Sequence, residues 1–123
     1  MKLFFRALLA LFAYDLLSTF CRFATIYTMV KHWKVRRNPV RRDTLDCVCR
    51  AVNYACVWYP KQALCLQRSF ATTYLLRSYG VAARMVLGVQ KLPFKSHAWV
   101  EVDGVPINER SNVQATYAVW DRC

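Results

Sequence analysis

The chain has 123 residues, of which 56% are hydrophobic and 15% aromatic, with only three Gly and four Pro. That composition excludes disorder and suits one small domain with a real core. Lys and Arg outnumber Asp and Glu by 18 to 7, a net charge of +11. No RNP box or zinc-finger spacing is present, so no nucleic-acid partner is expected. A solvated basic face, an acidic peptide partner or an anionic membrane surface fits the charge instead.

Residues 2 to about 33 are strongly apolar, with Leu3, Phe4, Leu8, Leu11, Phe12 and Leu16 among them. Lys2 ahead of this run resembles a signal peptide, but Arg6, Asp15 and Arg22 interrupt it. No uncharged stretch reaches the roughly 18 residues of a membrane span. A helical hairpin packed on the domain is the favoured reading. An interfacial segment and a face for a partner protein remain open. Residues 31–42 carry Lys31, Lys34, Arg36, Arg37, Arg41 and Arg42 around Asn38-Pro39 and read as an exposed basic linker. Asp43 or Thr44 then caps a helix to about Tyr59, whose apolar face is Val48, Ala51, Val52, Ala55 and Cys56.

Pro60 ends anything upstream, and Cys65 to Ser78 predicts a helix stopped by Gly80. Its stripe is Leu66, Phe70, Thr73, Leu75 and Leu76. Ala83–Gln90 and His97–Val102 read as strands. Asp103-Gly104 is a hairpin turn, and Val105–Asn108 returns as a third strand whose Pro106 predicts a free edge. Tyr117 and Trp120 are expected to pack the tail down. Helices followed by an antiparallel sheet give an α+β fold. Residues 1–59 form an apolar, basic helical region and 60–123 the remainder of the same compact domain.

The six cysteines are Cys21, Cys47, Cys49, Cys56, Cys65 and Cys123. Four of them sit in apolar helical runs, where a free thiol behaves as a small buried hydrophobe. Reduced thiols in a cytoplasm are expected, with no metal, because Cys47-Val48-Cys49 has no second Cys/His pair to match it. Cys65 differs, since it starts a helix, where unpaired backbone N–H groups favour an anion. That makes it a candidate nucleophile.

A nucleophilic cysteine needs a base, and the base an orienting group. His32, beside Trp33, reads as structural or exposed. His97 opens a strand, which fixes its position. A two-residue Asp103-Gly104 turn pairs Trp99 with Asn108 and His97 with Arg110. A three-residue loop with a bulge at Gly104 sets His97 against Glu109. Asn108 or Glu109 is thus the candidate third member. Glu101 shares the His97 face but lies too far along the strand for a direct bond.

Three stretches carry a family resemblance: Cys65-Leu66-Gln67-Arg68-Ser69, the Gly80 to Val89 run, and His97-Ala98-Trp99-Val100-Glu101. With the Asn108-Glu109 step they resemble the transglutaminase-like superfamily, and within it the lasso peptide biosynthesis B2 proteins, which are leader peptidases. The resemblance covers roughly Pro60 to Trp120. It implies a transglutaminase-like, papain-like catalytic core over 60–123, with Cys65 as nucleophile and His97 as base. Glu109 stands where the family usually has Asp, and Asn108 is the substitute. The implied function is bacterial and cytoplasmic: a cysteine peptidase cleaving the leader from a ribosomally made lasso precursor through a thioester, without cofactor. The implied partners are the precursor peptide, a stand-alone leader-recognition protein and an ATP-dependent lasso cyclase. A transglutaminase-like acyl transferase and a non-catalytic peptide- or membrane-binding module are the alternatives.

Overall fold

A computed structural model describes residues 2–20, 22–33, 42–59, 65–90, 95–107 and 117–123. Four helices precede a four-stranded sheet: α1 (Lys2–Phe20), α2 (Phe23–His32), α3 (Arg42–Trp58), α4 (Cys65–Ser78), β1 (Ala83–Gln90), β2 (Lys95–Val102), β3 (Val105–Ile107) and β4 (Ala118–Arg122). The expected α+β architecture is present. Most of the basic linker and all of Pro60 lie outside the described residues.

The centre of the molecule is α4. Its buried residues run almost around the helix: Gln67, Ser69 to Thr73, and Leu75 to Arg77. A single apolar stripe was expected; instead α4 is enclosed by α1, α3, β1 and β2, so its small polar residues are buried too. Gly80, at φ 82°, lets the chain turn back. Val81 N–H then bonds Leu76 C=O at 3.0 Å and Gly80 N–H bonds Arg77 C=O at 3.0 Å, a Schellman ending. Val81 and Leu76 share the core, which supplies the apolar contact that accompanies this motif. Ala7, Leu11, Val48, Val52 and Ala55 from α1 and α3 enter the same cluster with Val100 and Val102 from β2. Segments 1–59 and 60–123 therefore share one core.

The sheet order is β3-β2-β1-β4, all antiparallel. Pro106 lies on an edge strand, as predicted, where its missing N–H breaks no ladder. Asp103 (φ 52°) and Gly104 (φ 77°) both occupy the left-handed region. Val102 faces Val105 directly across them, which makes this the two-residue turn. The fourth strand was not predicted. Ala118–Arg122 is short, and its pairing partner is β1, far away in the chain. Tyr117 packs as expected, against Trp99 and Val86, but Trp120 is 75% exposed. It lies on an edge strand, and nothing in the core reaches it.

The two sheet faces differ. Ala83, Met85, Ala98, Val100 and Val102 point toward the helices, where Met85 meets Phe70 and Ile26. Val86, His97, Trp99 and Glu101 point the other way, where Trp99 packs on Val86, Tyr117 and Val119. Gly88 pairs with His97 on this second face. A Cβ there would come within 2.5 Å of Trp99 Cζ3 and 2.9 Å of Tyr117 Cβ. The indole thus lies directly on the glycine.

Arg77 joins the parts. It is 9% exposed and points its guanidinium at three backbone carbonyls: Nε to Ala83 at 2.9 Å, Nη1 to Val30 at 2.5 Å and Nη2 to Cys123 at 2.9 Å. These belong to β1, the last turn of α2 and the residue after β4. Trp33 covers the guanidinium at 5.8 Å.

Two outcomes follow. Arg77→Met removes the side-chain donor from three carbonyls, of which Val30 keeps the Trp33 N–H, and is expected to cost about 3 kcal/mol, while Arg77→Lys recovers only part because an ammonium cannot fork to all three. Gly88→Ala is expected to cost about 1–3 kcal/mol through overpacking against the indole. Urea unfolding followed by circular dichroism measures both.

Candidate active site

Cys65 is the first residue of α4 and is exposed. Residues 60–64 lie outside the described residues, and α4 is described from Cys65 onward. Two residues on, Gln67 turns inward, and its Nε2 donates to Leu11 C=O of α1 at 2.8 Å. Tyr59, just after α3, donates its hydroxyl to Asp15 Oδ2. Burial first, then the hydrogen bond with Asp15, pushes the Tyr59 hydroxyl pKa up, while its bond with Gln67 pulls it down. The tip of α4 is therefore braced by a polar cluster of Asp15, Tyr59 and Gln67, tying α1 and the end of α3 to α4.

Tyr14 stands in the same neighbourhood. Its ring lies 5.3 Å from that of Phe70. Burial raises its pKa, and charge on Cys65 and then on Asp15 raises it further. Tyr14 and Cys65 are thus electrostatic neighbours, a link that sequence reasoning missed; the only available signal was its place one turn beyond Ala10 and Leu11 on the core side of α1.

The other thiols differ from Cys65. Burial, aided by Asp46, pushes Cys49 up to about 11. Burial also raises Cys56. Both sit near Arg68, which lowers them in part. Cys47 is exposed, contrary to the expectation that the α3 cysteines are buried, because it lies off the Val48–Val52–Ala55 face. No group of three or more His, Cys, Asp or Glu able to hold a metal occurs among the described residues.

His97 is the third residue of β2 and is half-buried. Its ring stacks on Trp99 at 6.0 Å and an interplanar angle of 27°, and on Tyr117 at 5.4 Å and 32°. Glu101, 2% exposed, accepts Trp99 Nε1–H at 3.0 Å and Arg122 Nε–H at 3.0 Å. The Trp99 and Glu101 of the His-Ala-Trp-Val-Glu stretch are therefore structural. They fix β2 to β4 and give His97 its stacking surface. His32, at the end of α2, is exposed.

Chain direction brings Cys65 and His97 to one end of the helix–sheet unit. The C-terminal half of α4 meets Ala83, and its Phe70 meets Met85 further along β1, so its tip points toward the end where β2 begins. His97 shares the Trp99 face of the sheet, and α4 packs against the other. The Asp103-Gly104 turn takes the two-residue form, not the bulged form that sets His97 against Glu109. Asn108 and Glu109 themselves lie outside the described residues.

An alkylation experiment reads the thiols directly. At neutral pH, iodoacetamide is expected to modify exposed Cys65 well before Cys49, which is held protonated, with peptide mass spectrometry following each site.

The Microcin J25-processing protein McjB of Escherichia coli is 42% identical over 55 residues, covering 45% of this chain. The match spans 26% of that relative's length. No solved structure matches. The model of the transglutaminase-like superfamily matches residues 8–121, which takes in α4, β1, β2, β3, most of β4 and most of α1. With a helix that opens on an exposed cysteine, packed on an antiparallel sheet that carries the His-Ala-Trp strand, this chain belongs to the transglutaminase-like superfamily.

Proposed function

We propose that the chain is a cysteine peptidase that removes the leader from a ribosomally made lasso-type precursor peptide. The observation that carries this reading is the 42% identity to a microcin-processing protein, within a superfamily whose model spans nearly the whole chain. The exposed cysteine at the start of the central helix supports it. In the proposed reaction His97 takes the Cys65 thiol proton, and the sulfur attacks the carbonyl at the leader–core junction. Backbone N–H groups at the start of α4 donate hydrogen bonds to the developing oxyanion. The tetrahedral adduct collapses, the C–N bond breaks, and His97 protonates the departing core amine. Water then hydrolyses the thioester and frees the leader acid.

His97 lies near the loop end of the β1–β2 hairpin, with only Val89–Ser96 and Gln90–Lys95 pairing beyond it, and the tip of α4 points toward that end. The precursor is presented to the site by a recognition protein. Glu109, or Asn108 in its place, orients the imidazole in the assembled site. The freed core amine suits an ATP-dependent cyclase as the next enzyme.

The match to that processing protein covers 26% of its length, which favours a second reading, a peptide-binding module without catalysis. One experiment separates them. Precursor incubated with the protein and its recognition partner is expected to yield free leader acid and core by mass spectrometry. Cys65→Ala should abolish cleavage while partner binding survives, and His97→Ala should slow it by about 10²-fold or more. Normal cleavage by Cys65→Ala excludes the peptidase. A cross-linked adduct in place of free leader marks acyl transfer.

A further inference from the structure

α1 is apolar on both sides. Its inner face, with Ala7, Ala10 and Leu11, is buried in the core. At about 100° per residue, Phe5, Leu9, Phe12, Leu16 and Phe20 form a second stripe on the opposite side. These five side chains are 46–79% exposed. The stripe is about 22 Å long, from a rise of ~1.5 Å per residue. At Leu9 it runs into a cleft of about 640 Å³ between α1, α2 and α4, which also takes in Met29, Trp33 and Tyr74. Among the described residues, no carboxylate lines that cleft.

The charges beside this surface have one sign. Residues 2–33 hold Lys2, Arg6, Arg22 and Lys31 against the single acid Asp15, and Asp15 accepts the Tyr59 hydroxyl on the α3 side. Arg6 stands at the cleft, where its guanidinium is held by two neutral hydroxyls, Tyr79 at 3.0 Å and Ser78 at 2.9 Å, and lies 5.2 Å over the Tyr79 ring. The whole chain carries +11. An uninterrupted apolar face bordered by cations matches an anionic lipid surface.

We propose that the outward face of α1 and the cleft beside it rest on an anionic phospholipid bilayer, with α1 lying along the surface. By length and composition α1 could cross a membrane, with 19 residues and a mean hydropathy of 1.6. Crossing would pull Ala7, Ala10 and Leu11 from the core, and with them the Gln67 bond to Leu11 and the Tyr59 bond to Asp15. Lying flat keeps all of these and covers only what the domain leaves open. This inference is independent of the peptidase reading, since it uses none of its residues.

The test is flotation of the full chain with vesicles of phosphatidylcholine, alone or mixed with phosphatidylglycerol. The protein is expected to float with the mixed vesicles and not with the neutral ones, and to be released by added salt. Leu9→Glu combined with Leu16→Glu, both at outward positions, should lower partitioning roughly ten-fold or more. A second reading needs no folded variant of the stripe: brominated anionic lipid should quench tryptophan fluorescence, and Trp33→Phe should remove part of that quenching. Absence of flotation with anionic vesicles overturns the proposal. So does equal flotation of the double variant, or a lipid-independent dimer that the double variant dissolves, which would make a second copy the occupant.

Discussion

A single buried cation holds the parts of this molecule in register. Arg77 leaves the last full turn of α4 and gives one hydrogen bond each to the carbonyls of Val30, Ala83 and Cys123. Each of those carbonyls lies at the end of an element, where regular pairing runs out. The planar guanidinium fork suits three acceptors in different directions, which an ammonium could not serve at once. Because α4 also begins with Cys65, the residue that sets the helix against the sheet and the candidate nucleophile share one rigid rod.

At the other end of α4 the bracing is different in kind. Asp15, Tyr59 and Gln67 connect α1, the end of α3 and the first turn of α4 through neutral and charge-assisted hydrogen bonds. Arg6 clamps Ser78 and Tyr79 where the helix ends, a favourable place for a cation. The helix is thus pinned at both tips while its middle is packed by apolar contact. Position at the tip is what a nucleophile requires, and His97 rests its ring against Trp99 on β2.

Much of this could be read from the chain. Gly80 marked the end of α4, Asp103-Gly104 the hairpin, and Pro106 the edge strand, because each carries a local backbone constraint. The start of α4 at Cys65 was legible for the same reason. What escaped was non-local. Strand β4 exists because β1 has a free edge far away in sequence, and Arg77 looked like any basic residue in a last helical turn. Which sheet face His97 takes depends on where α4 settles, and alternation along β2 fixes only that His97 goes with Trp99 and Glu101. The exposed stripe on α1 was hidden for a related reason: a helix apolar all round shows no preferred side until one side is packed.

The contact between Gly88 and Trp99 limits how this sheet can diverge. With the indole lying on bare backbone, a side chain at position 88 has room only if the ring at 99 shrinks or tilts, and a smaller ring at 99 leaves a void unless 88 grows. The two sites are coupled in both directions, so the sign of a change at one depends on what stands at the other. Relatives that abandon the glycine should therefore have abandoned the tryptophan as well, and an intermediate carrying only one of the changes would stand in a fitness valley.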